Sequence, residues 1–180
     1  MHPLELFGFC PKCGSSRFNE SSEKSKKCEN CGFEFFSNPA AAVAAFITNE
    51  RGELLVQRRK YEPAKGMLDL PGGFCDGQET AEESVAREVK EETSLEVTRA
   101  SYLFSMPNVY RFSGMDLNTL DMFFECEVKD TDALKAGDET TDCRWMAIED
   151  IRTELFGLRS IRHAMSVYIE RKMNGLGLKK

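Results

Sequence analysis

The chain has 180 residues, 41% of them hydrophobic and 30% charged, with a formal net charge of −6 and a pI near 5.1. That length holds one domain with a sizeable core and a small appendage. The acidic balance argues against sequence-independent binding to nucleic acid, and no uninterrupted apolar run is long enough to span a membrane. The start, MHPLELFGFC, lacks a basic segment leading into an apolar one, so no secretory signal is predicted and a cytoplasmic location is expected. Seven cysteines, an odd number without an export signal, point away from a disulfide framework.

Four of those cysteines open the chain as Cys10-Pro-Lys-Cys13-Gly and Cys28-Glu-Asn-Cys31-Gly. Two C-x2-C pairs, each followed by a glycine that lets the backbone turn back, suit a zinc ribbon. Cys10, Cys13, Cys28 and Cys31 would close a tetrahedral Zn²⁺ shell with no open position, which makes the site structural. The segment between the pairs is polar, so residues 8–31 are expected to fold only with metal. Phe33, Phe35 and Phe36 read as the ribbon's last strand and its docking contact, with an aromatic surface for single-stranded nucleic acid as the alternative. Lys24, Lys26 and Lys27 are the basic cluster nearby. The predicted boundaries are 1–38 for the ribbon and 39–180 for the main domain.

From Ala40, AAAVAAFITN predicts a buried strand, Glu50–Glu53 a turn and LLVQRRK the returning strand. Residues 61–73 deliver Pro71-Gly72-Gly73 to a helix predicted from about Thr80 to Thr93. Thr80 suits the N-cap, with Glu83 three residues on. At about 100° per residue, Ala81, Val85, Ala86 and Val89 form the apolar side, and Glu83, Arg87 and Lys90 the solvent side. Glu88, Glu91 and Glu92 share one edge, and three crowded carboxylates call for a hard divalent cation. Cys75 is expected to be a packing residue, since the chain's two histidines, His2 and His163, lie far from it in sequence.

After the helix, residues 95–114 predict a long strand running into a proline-marked loop, and 117–128 the next strand. A short strand is expected around Cys143–Met146. An amphipathic helix follows from Leu158 to Met173, ended by Gly175 and Gly177, with His163 on its surface.

The spacing Gly73, five residues, Glu79, seven residues, then Arg87-Glu88-Val89-Lys90-Glu91-Glu92-Thr93-Ser94-Leu95 resembles the Nudix box, G-x5-E-x7-REUxEExGU. Every defined position matches except Ser94, where the pattern has glycine. A serine in the left-handed conformation expected there costs roughly 1 kcal/mol and leaves the carboxylate edge untouched. The resemblance implies an α+β fold, a Nudix α/β/α sandwich with a mixed sheet, behind the N-terminal zinc ribbon. It implies hydrolysis of a diphosphate linkage by water with Mg²⁺ or Mn²⁺. Carried over by position, Glu91 and Glu92 are metal ligands and Glu88 is a ligand or proton acceptor. Arg87 would hold the loop and orient Glu79, and the Gly73 carbonyl would add a ligand. The general base is either a box glutamate or a later one, for which Glu139 is the candidate.

A zinc ribbon before such a domain resembles the NADH pyrophosphatase group, whose members carry SQPWPFPxS after the box. Here Ser105-Met106-Pro107-Asn108-Val109-Tyr110-Arg111-Phe112-Ser113 keeps Ser105, Pro107 and Ser113, with an aromatic ring at Tyr110. Ser105, Pro107, Tyr110 and Phe112 are therefore the expected substrate contacts, with Tyr110 or Phe112 stacking on a base. NADH, ADP-ribose, another nucleoside diphosphate derivative or a capped RNA end all fit this reading, and a homodimer is expected. The competing readings are a Nudix module that senses a nucleotide without cleaving it and a zinc-ribbon RNA adapter.

Overall fold

A computed structural model gives the fold and describes residues 3–138 and 140–177. The chain divides into two compact units, Met1–Ala40 with Val109–Thr119, and Ala41–Asn108 with Leu120–Lys180.

In the first unit a short helix, α1 (Pro3–Leu6), precedes strands β1 (Phe18–Ser22), β2 (Ser25–Cys28) and β3 (Glu34–Phe36), which form an antiparallel sheet in that order. Each Cys-x2-Cys-Gly run makes the same turn. Gly14 N–H donates to the Cys10 carbonyl at 2.8 Å, and Gly32 N–H to the Cys28 carbonyl at 2.9 Å. Both glycines have φ of +72°, a conformation that would strain any residue carrying a Cβ. Cys10, Phe18 and Cys28 form a small buried core, with Cys31, Phe33 and Phe35 packed on it. The polar segment between the pairs thus contributes one core side chain, Phe18, and Phe35 also meets Phe7 edge-on at 5.5 Å.

The remaining strands are β4 (Ala40–Phe46), β5 (Leu54–Arg59), β6 (Leu68–Asp69), β7 (Gly72–Phe74), β8 (Val97–Phe112), β9 (Met115–Val128) and β10 (Thr140–Met146). The two long helices are α2 (Ala81–Thr93) and α3 (Arg159–Gly177). The strands pair as β7-β4-β9-β8 and as β10-β5-β6. β4 is apolar without alternation because both of its faces are covered. Ala44 and Phe46 join Val56, Phe123, Ile161, Met165 and Tyr168 on the α3 side. Val43, Ala45 and Ile47 join Val85, Val89, Leu95 and Phe124 on the α2 side. That is the expected α/β/α sandwich, with Phe46 stacked on Tyr168 at 3.9 Å.

Several local expectations are corrected. β5 returns beside β4 only at the turn, through Leu55 N–H to the Ile47 carbonyl and the Thr48–Leu54 bridge. It then leaves for the second sheet, where β10 and β6 flank it. Pro107 does not start a loop, because β8 continues through it to Phe112. β8 is the edge of its sheet, where a missing N–H leaves no gap between paired strands. α3 runs to Gly177, so Gly175 lies within it. His163 is exposed on α3, and Cys75 packs against the α2-side core, as expected. No described helix is long and apolar enough to cross a membrane.

Candidate functional site

The four thiols of the N-terminal unit converge. Cys10 and Cys31 Sγ are 3.7 Å apart, as are Cys13 and Cys28 Sγ, and all four lie within 4.8 Å of one another. A tetrahedral zinc shell with Zn–S near 2.3 Å has edges of about 3.8 Å, so the donor set fits Zn²⁺. The Ser15 backbone N–H, followed by the Asn30 amide, holds the Cys13 thiol down to about 6. Against the Phe33 backbone N–H, desolvation and the crowding thiols push Cys31 up to about 12, so the fit to a metal rests on the convergence of the four sulfurs. Among the described residues this is the one set of metal-capable side chains gathered so tightly.

The second site is built on α2. Thr80 caps the helix with both halves of the capping box: Glu83 N–H donates to Thr80 Oγ1 at 3.2 Å, and Thr80 N–H to Glu83 Oε2 at 2.8 Å. Ser94 ends it at φ 62°, the left-handed conformation the sequence analysis expected. Arg87 is not on the solvent side, contrary to the wheel. Its guanidinium holds Glu79 through Nη2–Oε1 at 2.7 Å and Nε–Oε2 at 3.0 Å, and donates to the Phe74 carbonyl at 3.1 Å. Nη1 also reaches Glu88 Oε1 at 2.8 Å and Glu91 Oε2 at 3.2 Å. Arg87, then the Asp76 N–H, hold the Glu79 carboxyl down to about 2. The loop after Gly73 is thereby closed onto the helix by charge-assisted bonds.

The three carboxylates of the edge separate. Glu91 is exposed and Glu92 is buried, while Glu88 lies against the Gly73 backbone. A Cβ on Gly73 would stand 2.6 Å from the Glu88 carboxylate, so this glycine permits the approach. Glu92 Oε2 accepts from Gly72 N–H at 2.8 Å and from Gln57 Nε2 at 2.9 Å. Burial pushes its carboxyl up to about 8, against those two donors and with added repulsion from Asp69 and Glu88. A buried carboxylate repelled by neighbouring carboxylates fits a hard divalent cation, and Glu88, Glu91, Glu92 and the Gly73 carbonyl are the oxygen donors that could hold it.

Residues that the sequence analysis did not single out complete this site. Asp69, buried between Leu68 and Leu70, pairs with Arg59 Nη1 at 2.5 Å and accepts from Leu70 N–H at 2.9 Å. Its carboxyl is raised, first by burial. Arg59 Nε in turn donates to the Pro63 carbonyl at 2.7 Å, tying the β5–β6 loop to the floor of the site. A polar or acidic residue inside a short apolar run, as in LLVQ and LDL, was the available signal for Gln57 and Asp69.

The β9–β10 loop closes the far end of α2. Gly137 N–H donates to the Glu92 carbonyl at 2.7 Å and Lys135 N–H to the Thr93 carbonyl at 2.9 Å, satisfying carbonyls the helix leaves unpaired. A Cβ on Gly137 would lie 2.4 Å from the Glu91 carbonyl oxygen and 2.9 Å from Glu92 Cα, both backbone atoms. Gly137→Ala is therefore expected to lift the loop off the helix. Urea unfolding should register a loss of about 1–3 kcal/mol, the usual range for overpacking. Unchanged stability would mean the loop tolerates the displacement. Glu139, the alternative general base, lies outside the described residues.

Of the expected substrate contacts, Ser105, Pro107, Tyr110 and Phe112 all fall on β8 rather than in a loop. Asn108 turns inward, where its amide and the Ser160 hydroxyl both donate to Asp121 Oδ2, at 3.1 and 2.5 Å.

The sequence model of the NUDIX domain family matches residues 38–165. The chain is 29% identical over 151 residues to the NAD-capped RNA hydrolase NudC of Vibrio cholerae, covering 83% of this chain and 53% of that protein. It is 27% identical over 165 residues to NudC of Pseudomonas aeruginosa, covering 91% and 56%. The chain thus spans about half the length of the curated relatives it matches. A crystal structure of a NUDIX hydrolase from Nitrosomonas europaea superposes with a TM-score of 0.72 at 24% identity, covering 93% of each chain. The NUDIX domain of Shewanella oneidensis NrtR complexed with ADP ribose superposes with a TM-score of 0.59 at 21% identity, covering 77% of this chain and 90% of that one. At those identities the two structures bear on the fold alone.

Proposed function

Since the chain belongs to the Nudix family, we propose that it hydrolyses a diphosphate linkage in a nucleoside diphosphate derivative of the NADH or ADP-ribose type, with Mg²⁺ or Mn²⁺ as cofactor and water as nucleophile. The observation that carries this reading is the buried Glu92 carboxylate beside Glu88 at Gly72–Gly73 of β7, in a chain that keeps every acidic position of the box. Phosphoryl transfer asks little covalent work of the protein and much positioning and charge balance. A bound Mg²⁺ or Mn²⁺ would supply charge neutralisation at the phosphates and a more acidic water. Glu92 and Glu88, with Glu91 at the rim, would hold it. Arg87 and Glu79 keep the glycine loop in place beside them, and a box glutamate or Glu139 would serve as the general base.

The N-terminal thiols would hold Zn²⁺ in a structural role, in a ribbon spanning 1–38 ahead of a catalytic domain spanning 39–180. The dinucleotide class of substrate is supported by the partial Ser105–Ser113 motif and by relatives named NAD-capped RNA hydrolases. A capped RNA end draws added support from exposed Lys24 and Lys27, whereas Lys26 is engaged by the Phe7 carbonyl. A homodimer in the cytoplasm belongs to the same reading.

The test is a Mg²⁺-dependent panel of NADH, ADP-ribose, diadenosine polyphosphates, an NAD-capped oligonucleotide and nucleoside triphosphates. Cleavage of the dinucleotide or ADP-ribose members to two monophosphates, abolished by chelator, is expected. Binding of ADP-ribose without turnover of any member would favour the sensing reading instead.

A further inference from the structure

Gln57 is a polar residue where the pattern of β5 calls for an apolar one. Leu54, Leu55 and Val56 before it are fully buried, and Gln57 itself is 4% exposed. Burying a primary amide is costly unless its hydrogen-bonding groups are engaged. Here both N–H positions are used: Nε2 donates to the Leu70 carbonyl at 3.2 Å and to Glu92 Oε2 at 2.9 Å. The two acceptors fix the amide's orientation, since turning it over would set its oxygen against a carbonyl and a carboxylate. Gly72 N–H donates to the same Glu92 oxygen at 2.8 Å. Two donors, a side-chain amide from β5 and the Gly72 backbone N–H, therefore pin Oε2 and select which Glu92 oxygen is left for a cation.

We propose that Gln57 is a positioning residue for the divalent-metal centre: it fixes the rotamer of Glu92 so that Oε1 is presented to the ion. This rests on the reading of the α2 edge as that centre. An acidic neighbour in direct contact would repel the carboxylate, and an apolar one would leave it held by Gly72 alone. The amide anchors it without adding charge. Hydrogen-bonding partners that orient a metal ligand in this way typically contribute 10- to 100-fold to metal affinity.

The experiment is a Mn²⁺ titration, followed by electron paramagnetic resonance and calorimetry, of the wild type, Gln57→Met and Val56→Ala. Methionine nearly conserves volume and removes both donors. Val56→Ala opens the neighbouring core without touching Glu92, so it reports what destabilisation alone does. The expected result is a Mn²⁺ Kd raised roughly 10- to 100-fold in Gln57→Met and unchanged in Val56→Ala. Gln57→Asn withdraws the amide by one methylene and carries the same expectation if the methionine variant does not fold. A Gln57→Met Kd within about twofold of a wild type that binds Mn²⁺ would overturn the role of Gln57 while leaving the metal centre standing. A wild type that binds no Mn²⁺ would overturn the metal centre and this role with it.

Discussion

Glu92→Gln is expected to remove turnover and, in the same protein, to raise the stability of the metal-free fold at pH 8. The first effect follows from loss of a charge placed where the cofactor belongs; positioned charges and acid–base groups supply on the order of 10² to 10⁴ in rate. The second follows from burial. The Glu92 carboxyl sits at about 8 in the fold against an ordinary value of 4.5, chiefly because it is removed from water. A raised carboxyl stabilises the fold fully below the unfolded value and loses that contribution as pH rises through the folded one. Metal-free wild type should therefore match Glu92→Gln near pH 4.5 and fall below it as pH rises towards 8 and beyond. The gap should approach at most about 5 kcal/mol, the shift multiplied by about 1.4 kcal/mol per pH unit. Mg²⁺ should restore the wild type and leave the variant unmoved, because an ion that binds only the native state stabilises by mass action. Chemical denaturation at several pH values, with and without Mg²⁺, measures all of this. A variant that is less stable than wild type at pH 8 would show that the carboxylate is not strained by burial.

Cys28→Ser is expected to unfold the ribbon. Cys28 is buried, shares the small core with Cys10 and Phe18, and donates its N–H to the Phe33 carbonyl at 2.8 Å. Apart from Phe18, Phe33 and Phe35 there is little apolar surface to pay for ordering this segment. Zinc binding in comparable small sites supplies apparent free energies of about 10–16 kcal/mol. The wild type should carry one zinc per chain, and Cys28→Ser should lose it. Hydrogen exchange should then show amides of β1 to β3 unprotected while those of β4 and α2 stay protected. Protection of β1 to β3 in a zinc-free protein would contradict the account.

What was legible in the sequence is what local chemistry decides. The capping box of α2, its left-handed Ser94 end and the two cysteine knuckles each depend on residues within a few positions of one another, and each stands where expected. What was not legible depends on the third dimension. The helical wheel set Arg87 facing solvent, whereas the box pattern already pairs it with Glu79, as the structure does; its bond to the Phe74 carbonyl is what only the folded-back loop supplies. The wheel also grouped Glu88, Glu91 and Glu92 as equals. The strands packed over one end of that edge bury Glu92 and leave Glu91 in water. Gln57 and Gly137 matter only because β5 and the β9–β10 loop come from 35 and 45 residues away to meet Glu92, and no local pattern records that. Pro107 misled for a similar reason: a proline reads as a break until the strand is known to lie at a sheet edge.

The central claim is that water attacks phosphorus in a diphosphate, with a divalent ion held by the α2 edge. Running the reaction in H₂¹⁸O with NADH or ADP-ribose, and weighing the products by mass spectrometry, tests it directly. One of the two monophosphates should carry a single ¹⁸O, and label and turnover should both vanish with chelator or in Glu92→Gln. Products free of label, or equal labelling with chelator present, would contradict it.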